Sequence, residues 1–138
     1  MYLVDTNIFI EFFLGQEKAK EAEALFEQLS SDLISMTEFS LYSIGIILVK
    51  NEMVDVFDEF VQEEIIEGKL NLVRLAPEDM KKITATTQTH NLDFDDAYQY
   101  TACEKYNLEL VSFDSDFDKT KLGRVTPQQV LEKLKKQL

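Results

Sequence analysis

The sequence predicts a single α/β domain in which a central parallel sheet is flanked by helices on both faces. Three observations predict this class. Short β-prone runs alternate with amphipathic helical patterns along the chain, as in repeated strand–helix units. Carboxylates recur at strand ends and helix starts, the rim of a parallel sheet where functional groups gather. At 138 residues and 45% hydrophobic content the chain can bury one core, whereas two would each be marginal, so positions 1–138 read as one domain.

Tyr2-Leu3-Val4 is the first β-type run and stops at Asp5. In Val4-Asp5-Thr6-Asn7, Asp, Thr or Asn can each cap the apolar, helix-prone run Ile8 to Leu14 by accepting a backbone N–H. Lys18 to Leu29 places Ala22, Leu25, Phe26 and Leu29 on one helical face. Leu33-Ile34 is the next β-prone run. In Ser35-Met36-Thr37-Glu38 the spacing is that of a capping box, with Glu38 reaching back to the Ser35 backbone. Phe39 to Val49 is apolar on nearly every face around Gly45, which fits a core helix or a subunit interface and not an ordinary surface helix.

Met53 to Ile66 is a further helix, with Met53, Phe57, Phe60, Val61 and Ile65 on its apolar face. Asn71 to Leu75 and Glu109 to Ser112 are the remaining β-prone runs. Leu92-Asp93-Phe94-Asp95-Asp96-Ala97 opens a helix with three carboxylates, more than one N-terminus uses for capping even though its dipole favours negative charge. Asp114 and Asp116 follow the last strand and suit Asx turns. Thr126, Pro127 and Gln129 start the final helix as N-cap, first helical residue and capping-box partner.

Composition narrows the function. No stretch approaches the roughly 18 consecutive apolar residues of a membrane span, and the start is not that of a signal peptide. The lone Cys103 has no partner for a disulfide or a zinc site, so the expected compartment is the cytoplasm. A net charge of −12 argues against nucleic-acid binding through a broad basic surface. The charges are uneven, however. Lys119, Lys121, Arg124, Lys133, Lys135 and Lys136 crowd the C-terminal end, while Glu52, Asp55, Asp58, Glu59, Glu63, Glu64 and Glu67 crowd one middle segment, and both runs read first as solvated helix faces.

Carboxylates about 4 Å apart repel by roughly 1 kcal/mol in water-like surroundings and about 4 at an effective dielectric of 20, so a cluster protonates or recruits cations. Oxygen ligands without His or Cys suit Mg²⁺ or Mn²⁺, and the single His90 reads as an ordinary loop or helix-end residue.

Taken together, Val4-Asp5-Thr6-Asn7, Glu38 on an early helix, Asp96-Ala97 at a helix start and Ser112-Phe113-Asp114-Ser115-Asp116-Phe117 resemble the successive motifs of PIN domains, most closely those of VapC-type toxin ribonucleases. The resemblance covers nearly the whole chain. It implies an acidic quartet of Asp5, Glu38, Asp96 and Asp114, with Asp5, Asp96 and Asp114 as metal ligands. Asp116 is an auxiliary acid, and Thr6, Asn7 and Ser112 are supporting polar residues. Asp93 and Asp95 have no firm counterpart; Asp96 is preferred to Asp95 as the third acid because it directly precedes the small Ala97.

The implied activity is Mg²⁺- or Mn²⁺-dependent hydrolysis of RNA phosphodiester bonds, in the toxin of a toxin–antitoxin pair, with an antitoxin as partner and a homodimer as assembly. The basic C-terminal stretch, Lys133, Lys135 and Lys136, is then expected to contact phosphates. Two other classes stand beside this one: a catalytically silent PIN-fold module that binds RNA or protein, and a receiver-like phosphoacceptor domain, which lacks the expected acidic doublet after the first strand and a Lys after the last.

Overall fold

A computed structural model describes residues 1–137. Four strands, β1 (Tyr2–Val4), β2 (Ile34–Thr37), β3 (Asn71–Val73) and β4 (Glu109–Val111), form one sheet in the order β3-β2-β1-β4. Every pairing is parallel, with Tyr2 opposite Ile34 and Glu109, and Ser35 opposite Asn71. Parallel strands need long crossovers, and here helices supply them: α1 (Thr6–Leu14), α2 (Ala19–Gln28), α3 (Glu38–Lys50), α4 (Val54–Phe60), α5 (Met80–His90), α6 (Phe94–Tyr106) and the closing α7 (Pro127–Lys136).

Alternation along the strands divides the core between two faces. Val4, Ile34, Met36 and Val111 pack with Ile8, Phe9, Leu25, Ile44, Leu48 and Val130. Leu3 and Leu110 point the other way, toward Ile83, Ala97, Tyr100, Cys103 and Phe117 of the α5–α6 side. Both faces are therefore covered, as an all-parallel sheet requires. Beyond β4 a single bridge joins Val111 to Val125, whose N–H donates to Leu110 O at 2.8 Å and whose carbonyl accepts from Ser112 N.

Most elements lie where periodicity places them, with three differences. The expected Ser35–Glu38 capping box does not form. β2 runs on to Thr37, which buries Ser35 in the sheet, and Thr37 itself caps α3 by accepting from Ser40 N at 3.0 Å. The Met53 to Ile66 helix divides into α4 and a π-helical turn, Val61–Ile66, and the chain then turns at Gly68, where a Cβ would stand 2.5 Å from the Glu63 and Glu64 carbonyl oxygens. The run Asn71 to Leu75 pairs only as far as Val73.

α3 proves two-faced. Ser40, Ile44 and Leu48 are buried, while Tyr42 (61% exposed), Ile46 (71%) and Val49 (54%) form an uncovered apolar row. In the same core, Phe9 of α1 stacks on Phe26 of α2 at 5.2 Å between ring centres and meets the edge of Phe60 of α4 at 5.7 Å. Phe9 is 1% exposed, so its loss leaves a cavity under α1. Phe9→Ala is expected to lower unfolding free energy in urea by about 3–5 kcal/mol while keeping the far-UV circular dichroism spectrum of the folded chain.

Candidate active site

The site begins with a carboxyl group held inside the protein. Asp5 follows β1 directly, is 4% exposed and caps α1, accepting from Thr6 N at 2.8 Å. The same oxygen, Oδ1, accepts from Gln99 Nε2 of α6 at 3.1 Å, and Oδ2 accepts from the Ser112 hydroxyl beyond β4 at 2.6 Å. A buried carboxylate needs such donors, because an unpaired one would cost several kcal/mol of lost hydration.

The donors are themselves fixed. Ser112 Oγ accepts from Asn7 Nδ2 at 3.2 Å and from Asp114 N at 3.0 Å, and Asn7 Oδ1 accepts from Phe113 N. Gln99 also donates to Ser40 Oγ at 2.9 Å and accepts from the Thr37 hydroxyl at 2.7 Å, while Thr6 and Ser40 share a hydroxyl contact of 2.7 Å. Thr6, Asn7 and Ser112 thus brace the ends of β1 and β4.

Above Asp5 the acids gather. Asp96, in the first turn of α6, Asp114, after β4, and Asp116 each offer an oxygen within 4.8 Å of the others; Asp93, Asp95 and Asp96 form a second such group. Asp114 closes the Asx turn foreseen for it, accepting from Asp116 N at 2.8 Å. These residues line an open cleft of about 420 Å³ together with Asp5, Thr6, Asn7, Glu11, Phe39 and Gln99. That volume falls within the usual range for small-ligand sites. Glu38 is half-buried at the start of α3, outside both acidic groups and the cleft lining.

The carboxylates strain one another electrostatically. Burial first, then Asp95, Asp5, Asp114 and Asp93, push the Asp96 carboxyl from the ordinary 3.8 up to about 7. Burial also raises Asp5, opposed by its bonds to Ser112, Gln99 and Thr6. All-oxygen donors converging in a cleft, and a carboxyl that resists ionising without a counter-charge, fit a hard divalent cation.

Other chemistries find less support. Cys103 is buried and its thiol is raised by that burial, the His90 ring lies tilted against Tyr100 at 5.0 Å and outside the cleft lining, and the apolar cleft around Phe9, Phe12, Phe13 and Phe26 carries Glu64 as its one titratable lining residue.

Gln99, Ser40 and Thr37 were not foreseen from sequence. A signal existed for Gln99, which stands three residues after Asp96 and so on the same helical face. The expectation for the C-terminal lysines fails on geometry. Lys133 reaches Glu109, the first residue of β4, at 3.8 Å, and Lys133 and Lys136 share a surface recess with Glu109 and Tyr2, so they stand at the opposite end of the strands from the cleft.

The PIN-domain family model matches residues 2–122, all four strands and every cleft residue included. The chain belongs to the PIN-domain family. Solved PIN-like folds agree. A chain of a toxin–antitoxin complex from Klebsiella pneumoniae superposes with a TM-score of 0.75 at 20% identity, covering 92% of this chain and 98% of that one. VapC20 of Mycobacterium tuberculosis, a sarcin–ricin-loop-cleaving toxin, gives 0.76 at 14% identity over 92% and 100%. FitAcB of Neisseria gonorrhoeae gives 0.69 at 16% over 93% and 99%. At these identities the likeness is one of fold. No curated protein matches the chain in sequence. Among the described residues no helix of this PIN domain is long and apolar enough to cross a membrane.

Because Asp96 is raised from 3.8 to about 7, the metal-free folded chain holds more protons than the unfolded one across that window, so its stability falls as pH rises through it; Asp5, also raised, acts in the same direction. Asp79 and Asp118, lowered by Lys105 and Arg124, act only at the acid end below it. In EDTA the melting temperature is expected to drop from pH 5 to pH 7.5; Mg²⁺ should reverse the drop at the upper pH and Asp96→Asn should flatten the profile. A metal-free melting temperature that rises steadily across the same range contradicts this account.

Proposed function

We propose that this PIN domain is a metal-dependent endoribonuclease, acting in the cytoplasm as the toxin of a toxin–antitoxin pair. One observation carries the reading: Asp96, Asp114 and Asp116 bring oxygens within 4.8 Å of one another beside a buried Asp5 held by three protein donors. Asp5, Asp96 and Asp114 hold Mg²⁺ or Mn²⁺, with Asp116 and Asp95 as auxiliary acids. Glu38, the fourth acid of the family pattern, opens α3 immediately before Phe39 in the cleft wall and is assigned to the rim.

Asp5 supplies the carboxyl group at the floor, and three of its four lone-pair positions are occupied by protein donors, which leaves one for a cation. Thr6, Asn7 and Ser112 keep that carboxylate and the Asp114 turn in register. When bound, the divalent ion supplies the charge that lets a water attack phosphorus in line and that steadies the leaving oxygen.

The partners follow from the same reading: RNA as substrate, a small antitoxin that covers the cleft, and a second copy of the chain. Fold likeness to chains solved in toxin–antitoxin complexes supports the antitoxin. The uncovered row Tyr42, Ile46 and Val49, with Val54 46% exposed beside it, supports the homodimer, since Phe39 to Val49 carries no charge to oppose self-association. Ile46→Lys is expected to convert a dimer to a monomer in sedimentation velocity; an unchanged sedimentation coefficient removes α3 from the interface.

The nuclease itself is tested on a mixed pool of structured RNA with EDTA, Mg²⁺ or Mn²⁺. Metal-dependent cutting is expected, with loss in an Asp96→Asn variant that remains folded, and a fall of about 10–100-fold in metal affinity for Ser112→Ala. If wild-type protein free of any copurified partner is silent with both metals, the reading gives way to the silent binding module.

A further inference from the structure

A cleft walled by aspartates repels the strand it is meant to hold, and the C-terminal lysines stand at the wrong end of the sheet. A cation in the cleft answers for one phosphate, and its neighbours along the strand need partners of their own. Ion pairs among the described residues engage Lys105, Arg124 and Lys133. Arg124, the guanidinium nearest the last strand, is spent on Asp118 through both Nε and Nη2 and on the Ser112 carbonyl.

Two lysines outside these ion pairs among the described residues, Lys18 and Lys119, are anchored to residues close to the acids along the chain. Lys18 stands at the start of α2, two residues after the cleft residue Gln16, and its ammonium lies 4.9 Å from the centre of the Phe113 ring. Phe113 sits between Ser112 and Asp114 and is tied to Asn7. The ring places the charge without consuming a single N–H. Lys119 ends the 3₁₀ turn Ser115–Lys119 that contains Asp116, and donates to the carbonyl of Asn91 at 3.0 Å, two residues before Asp93. Two of its three N–H groups remain unused. Phe113 packs with the core on the α1–α2 side of the sheet, whereas Asn91 caps the end of α5, whose Ile83 lies in the core on the other side, so the two ammonium groups are anchored to opposite faces of the domain.

We infer that Lys18 and Lys119 are the positioning residues for the RNA backbone, each taking a phosphate on one side of the scissile bond. The inference rests on the ribonuclease reading and names how an acidic chain grips its substrate.

The test is fluorescence anisotropy of a labelled, mixed-sequence single-stranded RNA with the full chain in Ca²⁺ over a salt series, beside cleavage of the same RNA in Mg²⁺. Lys18→Ala and Lys119→Ala are each expected to reduce the slope of log affinity against log salt by about 0.7, the share of one phosphate on a single strand. Lys18→Arg and Lys119→Arg should restore it, and the combined Lys133→Ala, Lys135→Ala and Lys136→Ala variant should keep the wild-type slope. Alanine variants that share the wild-type slope while the protein still cuts RNA overturn the inference and leave the nuclease standing. A wild-type chain that neither binds nor cuts RNA overturns both.

Discussion

A carboxyl group buried to 4% exposure must be met by several donors, and the architecture around Asp5 is arranged by that need. The donors come from the first turn of α1, the middle of α6 and the end of β4. They meet because β1 is an inner strand with β4 beside it, and because α6 crosses the sheet with its Asp96–Gln99 face turned toward the strand ends. A change in strand order or a slip in register would separate the donors. Burial and then the neighbouring acids, Asp95 ahead of Asp5, raise Asp96 and make the cleft a place where a cation relieves repulsion already built into the fold.

The chain's acidity is thus of two kinds. Glu59, Glu63, Glu64 and Glu67 crowd one helical segment, and Glu63 is raised first by Glu59, a mutual repulsion that water and salt largely screen. The cleft aspartates converge in threes with oxygens within 4.8 Å, and burial is the first cause of the rise at both Asp5 and Asp96. Net charge describes the first population well and says little about the second.

Much of this was legible in the sequence because the relevant forces are local. β1 and its closing Asp5, the capping box of Thr126 and Gln129, and the Asx turn of Asp114 depend on neighbours within a few residues. The Ser35–Glu38 box failed because strand pairing through Ser35, Met36 and Thr37 outweighed a capping preference, leaving the next hydroxyl along to cap the helix. The π-helical turn after Phe60 escaped notice because it preserves the apolar face on which periodicity rests. Gln99 escaped because its importance lies in partners more than fifty residues away, Thr37, Ser40 and Asp5. The lysines of α7 were misjudged for a related reason: composition shows that they cluster, and only the fold shows at which end of the strands.

The bond from Ser112 to Asp5 spans 107 positions of chain. A chain emerging from the ribosome therefore carries its first carboxylate long before either Ser112 or Asp114 exists to complete the cluster. Assembly of the acidic centre must wait until the last strand has docked beside the first, and the cluster is a product of finished folding and not of any one segment of the chain.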